Sequence, residues 1–386
     1  MSSEHLVDGH RLSLLRNGEE YFPRLIQAMD GATRSIYLET YMYAADASGR
    51  AILEALLRAA GRGVRAHLLL DGFGCPDFPP DWAEELRAAG AQVQWFRPEI
   101  ARLKLRRYRL RRLHRKLAVI DGRIAFVGGI NIINDVPGGR IAAPRLDYAV
   151  EVQGDTVGHI HAAMRRLWLL VAWTHLRQQR DHEKFHFAPV AQQKITFLLC
   201  DNLRHRRDIE LAYLNAIADA QREIIIANAY FLPGKRLRMA MLQAVQRGVR
   251  VVLLLQGQVE YRLQHYATLA LYDELLHGGV EIQEYHASFL HAKVAVVDAY
   301  WVTVGSSNID PFSLWLAREA NLVVRDAGFA LALRASLLNE MVQGAHPVAH
   351  VAWRKQGIWM RLLARASYAV VLFLTGVLGY ARGRDD

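Results

Sequence analysis

Residues 291–308 read HAKVAVVDAYWVTVGSSN, and residues 114–131 read HRKLAVIDGRIAFVGGIN. Both follow the spacing H-x-K-x4-D, on His291, Lys293 and Asp298 in one copy and His114, Lys116 and Asp121 in the other. Asn308, behind Gly305, Ser306 and Ser307, and Asn131, behind Gly128 and Gly129, lie equally far past their histidines. A lone HxK reads as a buried histidine beside a solvated lysine. Two copies in one register, each with its asparagine, read as a duplicated site.

The residue types suit one chemistry. The runs LAVID and VAVVD have the apolar character of buried strands ending in a turn, and period-2 geometry puts His and Lys on the same strand face. Lysine binds phosphate as a point charge, and a carboxamide adds two N–H donors. Imidazole changes charge near neutral pH, so each histidine is a candidate nucleophile or proton donor. Around one phosphate, His114 can attack phosphorus while His291 protonates the leaving alkoxide, or the reverse, with Lys116, Lys293, Asn131, Asn308 and Ser306 binding phosphate oxygens. No metal or cofactor is called for. Asp121 and Asp298 complete the motifs and count among the catalytic candidates, although a carboxylate before a turn also serves structure. Asp147 and Glu319 lie on apolar alternating segments where an unpaired carboxylate is costly, and are candidates to orient the two imidazoles.

The duplication extends further. REIIIANAYFLPG repeats RSIYLETYMY, and MLQAVQRGVRVVLLLQG repeats LEALLRAAGRGVRAHLLLDG. Helical spacing over 49–61 between two strand-like runs makes a βαβ unit. The expected fold is therefore α/β: two homologous halves, each a mixed sheet flanked by helices, related by a pseudo-two-fold with the active site between them. The expected divisions are an N-terminal half 1–180, a linker 181–194, a C-terminal half 195–345 and a tail 346–386.

With these motifs the chain resembles the phospholipase D superfamily, and RSIYLETYMY, RGVRAHLLLDGFG, REIIIANAYFLPG and GSSNIDPFSL resemble its bacterial cardiolipin synthase branch, B-type members especially. That resemblance implies a phosphatidyltransferase working through a phosphohistidine. Phosphatidylglycerol or phosphatidylethanolamine would be the donor, and phosphatidylglycerol or glycerol the acceptor. It also implies carboxylates such as Asp147 and Glu319 on the histidines. Water as acceptor would make a phospholipase, and nucleases share the motifs.

Composition bears on partners. The 386 residues carry a net charge of +10 and are 52% apolar, which suits an anionic partner, nucleic acid or membrane. The basic stretch 97–116 is interleaved with Leu, Ile and Tyr and leads into His114, favouring lipid headgroups over a nucleic-acid groove. Near the C-terminus the uncharged run 366–381, flanked by arginines and preceded by Trp353 and Trp359, is short for a membrane span and reads as an interfacial anchor. The expected partners are an anionic phospholipid membrane and phospholipid substrates, without nucleic acid. The expected place is the cytoplasmic face of a bacterial inner membrane, peripheral or monotopic. HEKFH at 182–186 matches H-E-x-x-H, but its surroundings are polar on all sides and lack a third ligand, so zinc is not expected. Cys75 and Cys200 read as two buried thiols.

Overall fold

A computed structural model describes residues 4–97, 112–136, 143–174, 194–201, 205, 207–310, 317–349 and 358–377. The HEKFH stretch, most of the basic run and Trp353 lie outside the described residues.

Strand Ser35–Thr40 is buried along its whole length, as a strand covered on both faces must be. It pairs in parallel with Arg65–Asp71 through the helix Ala47–Gly61, the expected βαβ unit. Asp46 caps that helix by accepting from the Gly49 N–H at 2.9 Å, and Ile52, Leu53, Leu56 and Ala59 form its buried stripe. Gly63, at φ +84°, takes the left-handed turn that returns the chain to the sheet.

The first sheet runs Glu4–Val7, His10–Arg16, Tyr148–Gln153, Ile124–Gly128, Lys116–Ile120, Ser35–Thr40, Arg65–Asp71, Gln92–Phe96. The second runs Ile195–Cys200, Ala317–Arg325, Trp301–Gly305, Lys293–Val297, Glu223–Asn228, Arg250–Gln256, Glu281–Tyr285, Ala345–Pro347. From His10–Arg16 and from Ile195–Cys200 onward, the two orders correspond strand by strand through seven strands. Each has two parallel pairings at one end and antiparallel pairings elsewhere. The fold is the duplicated mixed α/β arrangement expected.

The two sheets share a core. One apolar cluster joins Leu117, Val127 and Val150 of the first to Ile225, Val294 and Leu322 of the second. Helix Ala327–Gly344 adds Phe329, Leu333 and Leu337 to it, and its Glu340 meets Arg16 of the first sheet at 2.5 Å. At roughly 1.5–3 kcal/mol for each fully buried large aliphatic side chain, separating the halves would expose much of what stabilises both. The junction that carries the site is therefore part of the hydrophobic core.

Candidate functional site

Short backbone pairings across this junction set the histidines. Arg112–Leu113 pairs in parallel with Ala317 and Arg318, and the His114 N–H donates to the Arg318 carbonyl at 3.0 Å. Leu290 bridges to Leu146, and the His291 N–H donates to the Leu146 carbonyl at 2.8 Å. Each histidine thus hangs on the residue just before the other half's carboxylate. The approach is fixed from behind as well. Asp71 and Gln256 end the matching runs LLLD and LLLQ, and accept from the N–H of Leu113 at 2.6 Å and of Leu290 at 3.2 Å.

The pairing of side chains is crossed. His114 Nδ1 lies 3.0 and 3.1 Å from the two oxygens of Glu319, and His291 Nδ1 lies 2.6 Å from Asp147 Oδ2. With Nδ1 turned to a carboxylate, the opposite ring nitrogen, Nε2, is the one left for a substrate. Both histidines line one cavity of about 500 Å³ together with Asn131, Asn308, Tyr41 and Arg145. Close fits hold the carboxylates: a Cβ at Gly129 would collide with the Asp147 carboxylate, so the glycine there makes room for it.

Both lysines are buried. Lys116 Nζ donates to the His114 carbonyl at 2.7 Å, Lys293 Nζ donates to the His291 carbonyl, and Lys293 Nζ is 3.9 Å from Asp147. Burial, with Lys293 close by, pushes Lys116 down to about 7 against the pull of Glu319. Burial takes Lys293 down to about 8 although Asp147 and Glu319 oppose it. Burial outweighs the nearby carboxylates at both lysines.

Burial also lowers both imidazoles. His114 is lowered with Glu319 opposing, and His291 is lowered well below its ordinary value, with Lys293, Lys116 and Arg145 adding to the effect. Asp147 is raised by burial, and at 2.6 Å it shares any added proton with His291 as a unit. A bound phosphodiester anion would raise all of these groups, because it supplies the missing negative charge.

Three residues from the sequence reading stand elsewhere. Asp121 and Asp298 lie at the far ends of strands Lys116–Ile120 and Lys293–Val297, roughly 17 Å of strand at ~3.4 Å per residue from the histidine end. Both sit in the left-handed region, at φ 54° and 53°. Asp121 accepts from the N–H of Thr33, Arg34 and Ser35, and Asp298 from those of Gln221, Arg222 and Glu223. Partial burial opposes ionisation, but these donors prevail and hold both carboxyls below their usual range. Geometry therefore corrects their catalytic assignment: they tie the turn after each motif strand to the entry of the neighbouring strand. Ser306 is fully buried behind the site, where its hydroxyl donates to Glu319 Oε2 at 2.5 Å and accepts from the Ala320 N–H at 3.0 Å. It braces a carboxylate and does not face the cavity. Asn131 lines the cavity with its carboxamide oxygen on the Met42 N–H at 3.2 Å, which leaves its NH2 to donate.

Sequence reasoning missed Tyr41, Arg145, Tyr230, Glu260 and Val371, all of which line the cavity. Tyr41 and Tyr230 follow equivalent strands but fall one position apart in the repeat, Tyr41 opposite Ala229 and Tyr230 opposite Met42, so the repeat did not flag them. Arg145, Glu260 and Val371 carry no signal in the repeat either. Glu39, on the strand ahead of Tyr41, is buried and pairs with Arg115 at 2.7 Å.

The tail contributes a wall. Helix Ile358–Val377 packs on helix Arg262–Leu269, burying Ala364 and Val371 in the second half's core. Its outer face leaves Trp359 81% and Phe373 70% exposed, with Leu362, Leu363, Val370 and Leu374 beside them. Among the described residues no helix is long and apolar enough to cross a membrane.

Two HxK strands from duplicated halves, each imidazole braced by the other half's carboxylate, define a phospholipase D-like protein. The chain belongs to that family: the family model described as "Cardiolipin synthase, PLD-like domain" matches residues 25–138 and 213–341. It is 39% identical over 340 residues to "Cardiolipin synthase B" of Escherichia coli K12, covering 86% of this chain and 80% of that protein. "Major cardiolipin synthase ClsA" of Bacillus subtilis is 27% identical over 363 residues, 92% of this chain and 74% of the relative. In three dimensions the chain resembles phosphatidylserine synthase of Haemophilus influenzae with a TM-score of 0.71 at 14% identity, covering 94% of each chain, a likeness of fold.

Proposed function

We propose that the protein is a cardiolipin synthase-type phosphatidyltransferase. The observation that carries this reading is the crossed pair of histidine–carboxylate dyads facing one cavity, and the relatives named cardiolipin synthase supply the substrate class. In the first half-reaction His114 Nε2 attacks the phosphorus of phosphatidylglycerol or phosphatidylethanolamine. A P–N bond forms, the P–O bond to the headgroup breaks, and the leaving alkoxide takes the proton held by the His291–Asp147 pair. In the second, an acceptor hydroxyl gives its proton back to His291 as its oxygen attacks phosphorus. The P–N bond breaks and His114 is restored.

The same chemistry runs with the two histidines exchanged, since burial lowers both imidazoles, His291 more than His114. Once a phosphate anion is bound, the raised Asp147 helps its pair hold the proton that the leaving group needs. Asn131 and Asn308 line the cavity around the transferring phosphoryl group, and Lys116 and Lys293 add positive charge from just behind the histidines. Donors fixed before the reaction stabilise its charge without reorganising.

The exposed apolar face of helix Ile358–Val377 is the membrane contact. Arg361 and Arg365 in its first turns suit anionic headgroups, and Val371 on its inner side touches the cavity, so lipid reaches the histidines beside the helix. The test is lipid mass spectrometry on purified protein with phosphatidylglycerol vesicles, with and without phosphatidylethanolamine. Cardiolipin in the wild type and none with His114→Ala supports the transferase. Phosphatidic acid alone would make the protein a hydrolase, and unchanged lipids would refute both.

A further inference from the structure

A lipid acceptor poses a problem that the two lysines do not solve. When phosphatidylglycerol receives the phosphatidyl group, its own phosphodiester sits one glycerol unit from the attacking hydroxyl. The pocket must then hold two phosphodiester anions at once. Lys116 and Lys293 are buried against the histidine carbonyls and do not line the cavity.

Arg145 is the one lysine or arginine among the described residues lining the cavity. It comes from the first half, just ahead of the Leu146 bridge, and its Nη1 meets Glu260 of the second half at a long 3.4 Å. Its Nε is buried with no hydrogen-bond partner, and its guanidinium lies 5.4 Å from the centre of the Phe289 ring. The other Glu260 oxygen accepts from the Tyr230 hydroxyl at 2.6 Å. A guanidinium with a buried unpaired Nε and one long contact keeps donors with which to take a phosphate oxygen. Beside it stand a carboxylate and a phenol able to bond hydroxyl groups.

We propose that Arg145, Glu260 and Tyr230 form the subsite for the acceptor lipid, a glycerophosphodiester: Arg145 binds its phosphate, and Glu260 with Tyr230 orients its glycerol hydroxyls toward the phosphohistidine. The inference rests on the phosphatidyl-transfer reading above. It adds that a phosphate-bearing acceptor depends on Arg145 far more than free glycerol or water does.

The experiment compares acceptors in one protein. Phosphatidylglycerol vesicles are incubated with isotopically labelled glycerol, and cardiolipin, labelled phosphatidylglycerol and phosphatidic acid are counted together. Arg145→Gln should lower the ratio of cardiolipin to the other two products at least tenfold, with Arg145→Lys falling between. The double variant Arg145→Glu with Glu260→Arg restores an ion pair across the halves and should not restore the ratio. Recovery by the double variant, or an equal fall in all three products, would reduce Arg145 to a structural bridge. An unchanged ratio would also overturn the subsite. A wild-type protein that makes no cardiolipin fails at the earlier step and takes this inference with it.

Discussion

His291 Nδ1 stands 2.6 Å from Asp147 Oδ2, although 144 residues separate them in the chain. With its counterpart, His114 on Glu319, this pairing makes the site a property of both halves together. Each carboxylate fixes the tautomer and the orientation of a ring borne by the other half.

Removing that control while keeping the shape should be costly. Asp147→Asn and Glu319→Gln are each expected to lower kcat by about 10²–10⁴-fold, the range seen when an orienting carboxylate becomes an amide, with KM moved much less. Steady-state kinetics on vesicles check this, and a loss below threefold would detach the carboxylates from catalysis.

Asp121 and Asp298 should behave in the opposite way. Replacing either by Ala removes charge-assisted bonds to backbone N–H groups and is expected to cost about 1–2 kcal/mol of stability. Activity per folded molecule should stay within about threefold. Their carboxyls are lowered in the fold, so this stabilisation is full above the unfolded carboxylate pKa and fades as pH falls through the folded value. Thermal melts at pH 7 and pH 4 read both effects. A kcat loss as large as that of His114→Ala would return them to the reacting centre.

The lysines set an alkaline limit. In the free enzyme Lys116 and Lys293 lose their charge as pH rises through about 7 and 8, so kcat/KM should fall above pH 7. The limb for kcat should lie at higher pH, because bound phosphate favours the charged forms. For stability the sign reverses the usual lysine case. Between about pH 7 and 10.5 the unfolded chain holds a proton that folded Lys116 does not, so the cost of burying it is full below pH 7 and is relieved as pH rises. Lys116→Met should therefore abolish activity and flatten the rise in stability between pH 7 and 10.5, and a pH dependence of Tm unchanged from wild type would contradict the burial argument.

The tail is testable without deleting it. Truncation at 353, the obvious experiment from sequence, would remove Val371 from the core and disturb the cavity wall. Leu363→Glu with Phe373→Glu leaves the packed face intact. It is expected to cut binding to anionic vesicles by at least tenfold in a flotation assay. Unchanged flotation would place the membrane contact elsewhere.

The duplicated motif made both sheets legible, because seven strands repeat in order and His, Lys and Asn fall at fixed steps from strand ends. The crossing was not legible. Asp147 and Glu319 stood out as carboxylates on apolar strands, but which ring each serves depends on the Leu146–Leu290 and Leu113–Arg318 contacts, and no periodicity encodes those. Ser306 and Asp121 were misplaced for a related reason. A motif gives spacing along a strand, whereas facing the cavity depends on which end and which side the fold covers. Arg145 and Glu260 lie in connections between strands, where no periodicity marks a side chain that faces the cavity.

The central claim, two in-line displacements at phosphorus on two histidines, is tested most directly by the stereochemical course. A phosphatidylglycerol chiral at phosphorus through a thio substitution and isotopic labelling would be converted by the purified protein, and the product's configuration determined by phosphorus NMR. Retention is the expected result, because attack by His114 and then by the acceptor each invert the centre. Inversion would mean that the acceptor attacks the donor lipid directly, and neither histidine would then carry a phosphatidyl group.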